Sequence, residues 1–153
     1  MWGFCNNNYH VLEICMSRVI NPDSAGKQRN LLSRSIIGAL RELMMQPEPN
    51  ETAHDSAAYI VLALQEISST VETSVQAWEK RGYWVKADRF RMEWDWAGRL
   101  AEQMKQALLA EDWAMIAGLV TQVAGKLSSV KVTPRSRIGT PWVGAWKQFQ
   151  SSL

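Results

Sequence analysis

The sequence is poor in the residues from which catalytic and metal sites are commonly built. Its 153 residues include two histidines and two cysteines, and no Gly-x-Ser-x-Gly, Walker or Gly-x-Gly-x-x-Gly motif occurs. These absences leave little scope for a histidine-based acid-base pair and exclude the common phosphate-binding loops. The spacings of Cys5, His10 and Cys15 match no zinc-site pattern, and two cysteines do not indicate a disulfide framework. We predict no cofactor and no metal site, and the sequence favours a non-catalytic protein over an enzyme.

Long apolar runs are also missing. A helix that crosses a bilayer needs about 18 or more apolar residues, and no such run occurs. The first twenty residues have no basic region before an apolar segment and no small-residue cleavage site after it, as a secretory signal would. The composition, with 46% hydrophobic and 21% charged residues, is that of an ordinary globular domain. We therefore expect a cytoplasmic protein without membrane association.

Apolar residues recur every three or four positions over most of the chain, which is the period of an amphipathic α-helix. Amphipathic helices joined by short turns can bury their stripes only against each other. The sequence therefore predicts an all-α domain that resembles a four-helix bundle. The four stripes are Leu32, Ile36, Leu40 and Leu43; Ala57, Ile60, Leu64, Ile67, Val71, Val75 and Trp78; Ala87, Phe90, Trp94, Ala97, Ala101, Met104 and Leu108; and Trp113, Ile116, Val120, Val123 and Leu127.

Capping residues predict where the helices begin and end. The first helix spans roughly residues 25–46 and is followed by two prolines. Thr52 and Asp55 have the spacing of a capping box, and the second helix runs from there to Arg81. Gly82, which follows, can adopt the left-handed backbone conformation that commonly ends a helix. The second and third helices therefore form a long antiparallel hairpin, each arm on the order of 40 Å long.

Three segments of the chain differ in character. Residues 1–20 show no helical stripe and are predicted to be an irregular N-terminal extension, with Met16 as an alternative native start. Residues 21–128 contain the bundle, in which Asp112 is the predicted N-cap of the fourth helix. Residues 129–153 form a basic extended strap and a short amphipathic helix. The intact mass of the natively expressed protein would show which methionine is the start.

The final helix of this tryptophan-rich chain has two alternative interpretations. Thr140 and Pro141 have the pattern of an N-cap and a first helical residue, and Trp142, Trp146 and Phe149 then share one face. These rings either dock on the chain's own bundle or anchor a partner protein, because Trp is favoured at binding hot spots.

The stretch 80–91 interleaves basic and aromatic residues, as proteins that bind single-stranded nucleic acid do. Lys86, Arg89 and Arg91 are the candidate contacts. The alternative is a solvated helix face, because Arg89 and Arg91 each precede an acidic residue by four positions and can pair with it. The residues predicted to be exposed here are Tyr83, Trp84, Trp96 and Lys86.

His54 and Asp55 form the dipeptide that metal-dependent HD phosphohydrolases use, and Glu51 with His54 matches half of a di-iron site. The further ligands of the HD site have no convincing candidates, and a second Glu-x-x-His pair is absent. We interpret Asp55 as a helix cap and His54 as its exposed neighbour.

The sequence thus favours a non-catalytic interaction or scaffold protein that binds a protein partner or forms a homo-oligomer through the long hairpin. The alternative function is weak nucleic-acid binding by the stretch 80–91 and the basic tail, lost at modest salt because phosphate contacts compete with counterions. A metal-dependent phosphohydrolase is a distant third.

Overall fold

The computed structural model describes residues 22–133 and 135–153, and over these ranges the chain forms five α-helices and no strand. The N-terminal extension, with Met16, Cys5, His10 and Cys15, lies outside the described residues. The all-α class is confirmed. The helices are α1 (Pro22–Met44), α2 (Glu51–Lys80), α3 (Trp84–Leu109), α4 (Trp113–Lys126) and α5 (Ala145–Ser151).

The central element of the fold is α2, which packs against α1, α3 and α5. Every residue from Ser56 to Leu64 is buried, so this part of the helix is covered on all sides. α4 packs mainly against α3 and also reaches α1. The predicted stripes are buried or half-buried in the resulting core, which confirms the helical packing.

The turn between α2 and α3 forms as predicted. Gly82 has a φ of +80°, a conformation that residues with a Cβ adopt at a cost. The Gly82 N–H donates to the Glu79 carbonyl at 2.9 Å, and the Tyr83 N–H donates to the Trp78 carbonyl at 3.0 Å. These two bonds define a Schellman motif, which satisfies carbonyls that the end of α2 leaves free. The two longest helices therefore form the predicted antiparallel hairpin.

The predicted capping box at the start of α2 is wrong. Asn50, rather than Thr52, is the N-cap, and its side-chain oxygen accepts a hydrogen bond from the Ala53 N–H at 2.8 Å. Asn is among the best N-cap residues, so an equally good cap two positions earlier replaces the predicted one. Asp55 is thereby free for a different contact.

One of the two remaining predicted caps is confirmed and the other is wrong. The Asp112 carboxylate accepts a hydrogen bond from the Met115 N–H at 3.1 Å and caps α4. Thr140 does not cap the last helix, because turns extend through Gly144 and α5 begins at Ala145. The basic strap before it has no helix or strand in its described residues.

The Tyr59 hydroxyl is buried and has no hydrogen-bond partner among the described residues, whereas the neighbouring Ser35 hydroxyl donates to the Leu31 carbonyl at 2.8 Å. Burial raises the pKa of Tyr59. Tyr59→Phe keeps the ring and removes the unpaired group, so we expect the free energy of unfolding to stay equal or rise by about 1 kcal/mol. Urea denaturation measures this change, and a loss above about 1 kcal/mol would show that the hydroxyl is paired.

Candidate interaction surfaces

Asp55 holds the C-terminal helix in place. One oxygen of its carboxylate accepts a hydrogen bond from the Gly144 N–H at 3.1 Å, and the other accepts from the Trp146 N–H at 3.0 Å. Both donors lie at the N-terminus of α5, where N–H groups lack partners within the helix and an anion is favourable. Asp55 therefore acts as a helix cap, as predicted, but for α5 rather than for its own helix.

His54 joins three elements at the same end of the bundle. Its Nδ1 lies 2.9 Å from the Asn50 carbonyl, and its Nε2 lies 3.0 Å from the Glu111 carboxylate. The ring also contacts Trp113 edge-on at 4.9 Å and Trp146 at 5.1 Å, measured between ring centroids. Its side chain is only 18% exposed, so the prediction of an exposed neighbour is wrong.

The aromatic residues of the tail are docked on the bundle, which is the first of the two predicted alternatives. Trp142 is buried, Phe149 is 1% exposed and Trp146 is partly buried. Trp146 stacks on Phe149 with ring centroids 5.6 Å apart. A Cβ added at Gly38 of α1 would lie 3.0 Å from the Trp142 ring, so a larger residue there would press against the ring. Partner binding by these three residues stays a prediction.

The end of the hairpin, residues 80–89, is called the hairpin tip below. Tyr83, Trp84 and Val85 are consecutive and 56%, 63% and 68% exposed. Trp96, which was predicted to be exposed, is instead buried and stacks on Trp94. A shallow cavity of about 700 Å³ lies at the tip. The basic residues of the tip, all exposed, are Lys80, Arg81, Lys86 and Arg89.

Arg91 is the least available of the predicted nucleic-acid contacts. Its guanidinium lies 3.1 Å from Glu79, 3.4 Å from Asp88 and 3.9 Å from the Glu72 carboxylate. The hydrogen bond to Glu79 is the main reason that the pKa of Arg91 is raised. The prediction that it pairs with the acidic residue four positions later is wrong, because carboxylates on α2 lie across the hairpin. Lys86 and Arg89 lie in the hairpin tip.

Arg29 is a buried charge that the sequence analysis did not identify. Its guanidinium lies over the ring of Phe90 at 4.7 Å and over that of Trp94 at 5.5 Å, and it donates a hydrogen bond to the Thr70 hydroxyl at 3.3 Å. Burial lowers the pKa of Arg29, and the charge of Glu93 partly opposes this shift. Cation–π contacts and a hydrogen bond thus compensate a buried cation between three helices.

A second exposed surface lies along α4. From Trp113 to Gly125 the helix has no charged residue, and one side of it borders a cavity of about 550 Å³. We call this cavity the α4 groove. It lies between α4, the end of α1 and the connection to α2, and its lining includes Leu43, Met44, Pro47, Trp113, Ala117 and Thr121.

The exposed side of α4 carries two glycines that the fold itself does not require. Gly118 and Gly125 are exposed, and a Cβ at either position would meet no atom within 4 Å. Glycine inside a helix costs about 1 kcal/mol relative to alanine. The neighbouring Ala117 and Ala124 line the α4 groove, whereas the two glycines do not.

In residues 22–133 and 135–153 no three His, Cys, Asp or Glu side chains are grouped to hold a metal ion. Within the same ranges no helix is long and apolar enough to cross a membrane. Glu51, half of the predicted di-iron pattern, is exposed at the start of α2. A comparison with family models found no match, and no curated protein or solved structure was found that matches the chain.

Proposed function

We propose that the protein is a non-catalytic interaction module of the cytoplasm that binds a protein partner through the α4 groove. The observation that carries this proposal is a largely apolar groove, with Glu48 and Gln46 on the side opposite α4, bordered by a helix with thirteen consecutive uncharged residues. An isolated exposed apolar side chain is ordinary, whereas a continuous uncharged surface beside a groove is typical of an interface.

The occupant that fits this groove best is an amphipathic helix of the partner. Such helices place their apolar face in a hydrophobic groove and leave their polar face in water. Met44 lines the groove and Met45 adjoins it, and both side chains are largely exposed. Methionine adapts its shape to a partner, which makes it common in grooves that accept helices. The small residues of α4 would allow a partner helix to approach closely.

A charge placed in the groove is expected to abolish partner binding without affecting the fold. Thr121 is exposed and lines the groove, so Thr121→Arg would bury an unpaired cation in the complex. Such a charge costs more than the 1.4 kcal/mol that corresponds to a tenfold loss, so we expect a loss of at least about tenfold. Cross-linking and pull-down from native extract, quantified against the wild type, measure the change.

Gln122→Arg is the matched control. Gln122 is the next residue of α4 and is equally exposed, but it borders a different groove, against α3. One helical residue turns the side chain by about 100°. We expect the control to keep its partner and both variants to keep the wild-type melting temperature. If Thr121→Arg retains its partner, or if both variants lose it equally, the α4 groove is not the binding site.

Nucleic-acid binding is the second candidate, supported by the exposure of Lys86 and Arg89 beside two exposed rings. Arg91 contributes little to this proposal, because three carboxylates surround it. Affinity that rests on phosphate contacts falls steeply as salt rises, so the expected affinity at physiological salt is weak. The electrostatics therefore favour a protein partner over nucleic acid as the main function.

A further inference from the structure

We propose that the hairpin tip binds the surface of anionic phospholipid membranes, with Tyr83, Trp84 and Val85 in the headgroup region and basic residues against the phosphates. The three apolar residues follow one another at the end of two long helices and are each more than half exposed. All three also line the shallow cavity at the tip, so they border one region of the surface. Trp and Tyr favour the membrane–water interface, because their rings have an apolar body and a polar group.

The charge of the tip complements an anionic surface. Residues 80–89 contain four basic residues and one acidic residue, a net charge of +3. Arg91 forms ion pairs with Asp88, the acidic residue of the tip, and with Glu79, which directly precedes the tip. None of the four cations of the tip forms an ion pair within 4 Å with a described residue. Each basic residue near an anionic leaflet contributes about 1 kcal/mol to binding.

The exposed side chains favour lipid over single-stranded nucleic acid as the occupant. Binding of bases requires free aromatic faces; Trp78 and Phe90 pack edge-on against each other at 4.9 Å, which leaves only Tyr83 and Trp84 as exposed rings among the described residues of the tip. Lys86 covers the Trp78 ring at 4.4 Å, and Arg29 covers the Phe90 ring. Val85 offers no ring for stacking, and an exposed aliphatic side chain gains free energy in the headgroup region.

This contact differs from the membrane association that the sequence analysis considered. The missing long apolar run bears only on helices that cross a bilayer, and a surface contact requires no such helix. Apolar side chains combined with basic residues are sufficient for reversible binding to a leaflet that contains anionic lipid. The cytoplasmic leaflet is such a surface.

Co-sedimentation with vesicles tests the proposal on the full chain. We expect binding to vesicles of phosphatidylcholine with phosphatidylserine, little binding to phosphatidylcholine alone, and a loss of binding as salt is raised. The double variant Lys86→Glu/Arg89→Glu and the double variant Trp84→Ala/Val85→Ser should each reduce the partition coefficient by at least about tenfold. All four positions are exposed, so helicity and melting temperature should not change.

The matched control for charge is Lys131→Glu/Arg135→Glu, which makes the same charge change at exposed positions of the strap. We expect this control to bind vesicles at least half as well as the wild type. Thr121→Arg should also retain vesicle binding, so a failure of the α4 groove proposal would be distinguishable from a failure of the membrane proposal.

Three results with vesicles would overturn the membrane proposal: equal binding to both vesicle types, no binding to either, or equal losses in the tip and strap variants. Tip-dependent binding to single-stranded RNA without vesicle binding would also overturn it and would identify nucleic acid as the ligand.

Discussion

Trp142→Ala is expected to lower the free energy of unfolding by about 3–5 kcal/mol, and Phe149→Ala by a similar amount. Both rings are buried against the bundle, and Trp142 contacts α1 at Gly38. A domain of this size is stable by about 5–15 kcal/mol in total, so either change removes a large part of that stability. Thermal and urea denaturation followed by circular dichroism measure the loss.

Val143→Ala provides the control within the same segment, because Val143 lies next to Trp142 and its side chain is 71% exposed. We expect this change to alter the free energy of unfolding by no more than about 0.5 kcal/mol. If Trp142→Ala melted at the wild-type temperature and lost a protein partner instead, the helix would be the partner anchor that the sequence also allowed.

Asp55→Ala is expected to destabilise the protein by about 2 kcal/mol, because hydrogen bonds to a charged group contribute more than neutral ones. The change leaves the N–H groups of Gly144 and Trp146 without their acceptor. Asp55→Asn keeps one acceptor oxygen in the same place and should lose less. Urea denaturation of the two variants measures the difference.

A double-mutant cycle separates this explanation from a general loss of helix stability. Asp55 and Trp142 both hold the tail on the bundle, so the effects of Asp55→Ala and Trp142→Ala should be less than additive. Exact additivity would show that Asp55 does not act through the docking of the tail. An Asp55→Ala variant as stable as the wild type would show that water replaces the carboxylate without cost.

Sequence rules correctly predicted the helix ends that depend on residues close together in the chain. Gly82 ends α2 and Asp112 begins α4 because each satisfies backbone groups within a few residues. Asp55 was misassigned for the complementary reason, since its donors lie 89 and 91 residues away. A local capping rule cannot include a partner that only the folded chain brings near.

The buried Arg29 could have been found from the helical period. It lies three positions before Leu32 and in phase with the apolar stripe of α1, so the helical period places its side chain on the side of α1 that faces the core. The ion pairs of Arg91 with Glu72 and Glu79 could not be found in this way, because α2 and α3 carry many residues that could face each other. Their register depends on how two long helices pack.

The candidate surfaces were only partly predictable. The basic and aromatic composition of the hairpin tip is visible in the sequence, and the exposure of Tyr83 and Trp84 was predicted correctly. The exposure of Trp96 was predicted wrongly. Several aromatic residues lie on α3, and the helical period alone does not decide which of them face the core. The α4 groove depends on the end of α1 lying beside α4, and no pattern within either helix encodes that proximity.

Gly144, whose N–H donates to the Asp55 carboxylate, follows Asp55 by 89 positions in the chain, and this separation also bears on how the protein is made. A ribosome that adds about 5–20 residues per second needs roughly 5–18 s to synthesise that interval. During that time α1 and α2 can form their local contacts, whereas the surfaces that receive Trp142 and Phe149 remain open. The nascent chain therefore displays an apolar surface that only its last segment can cover, and chaperones that bind such surfaces have this interval in which to act.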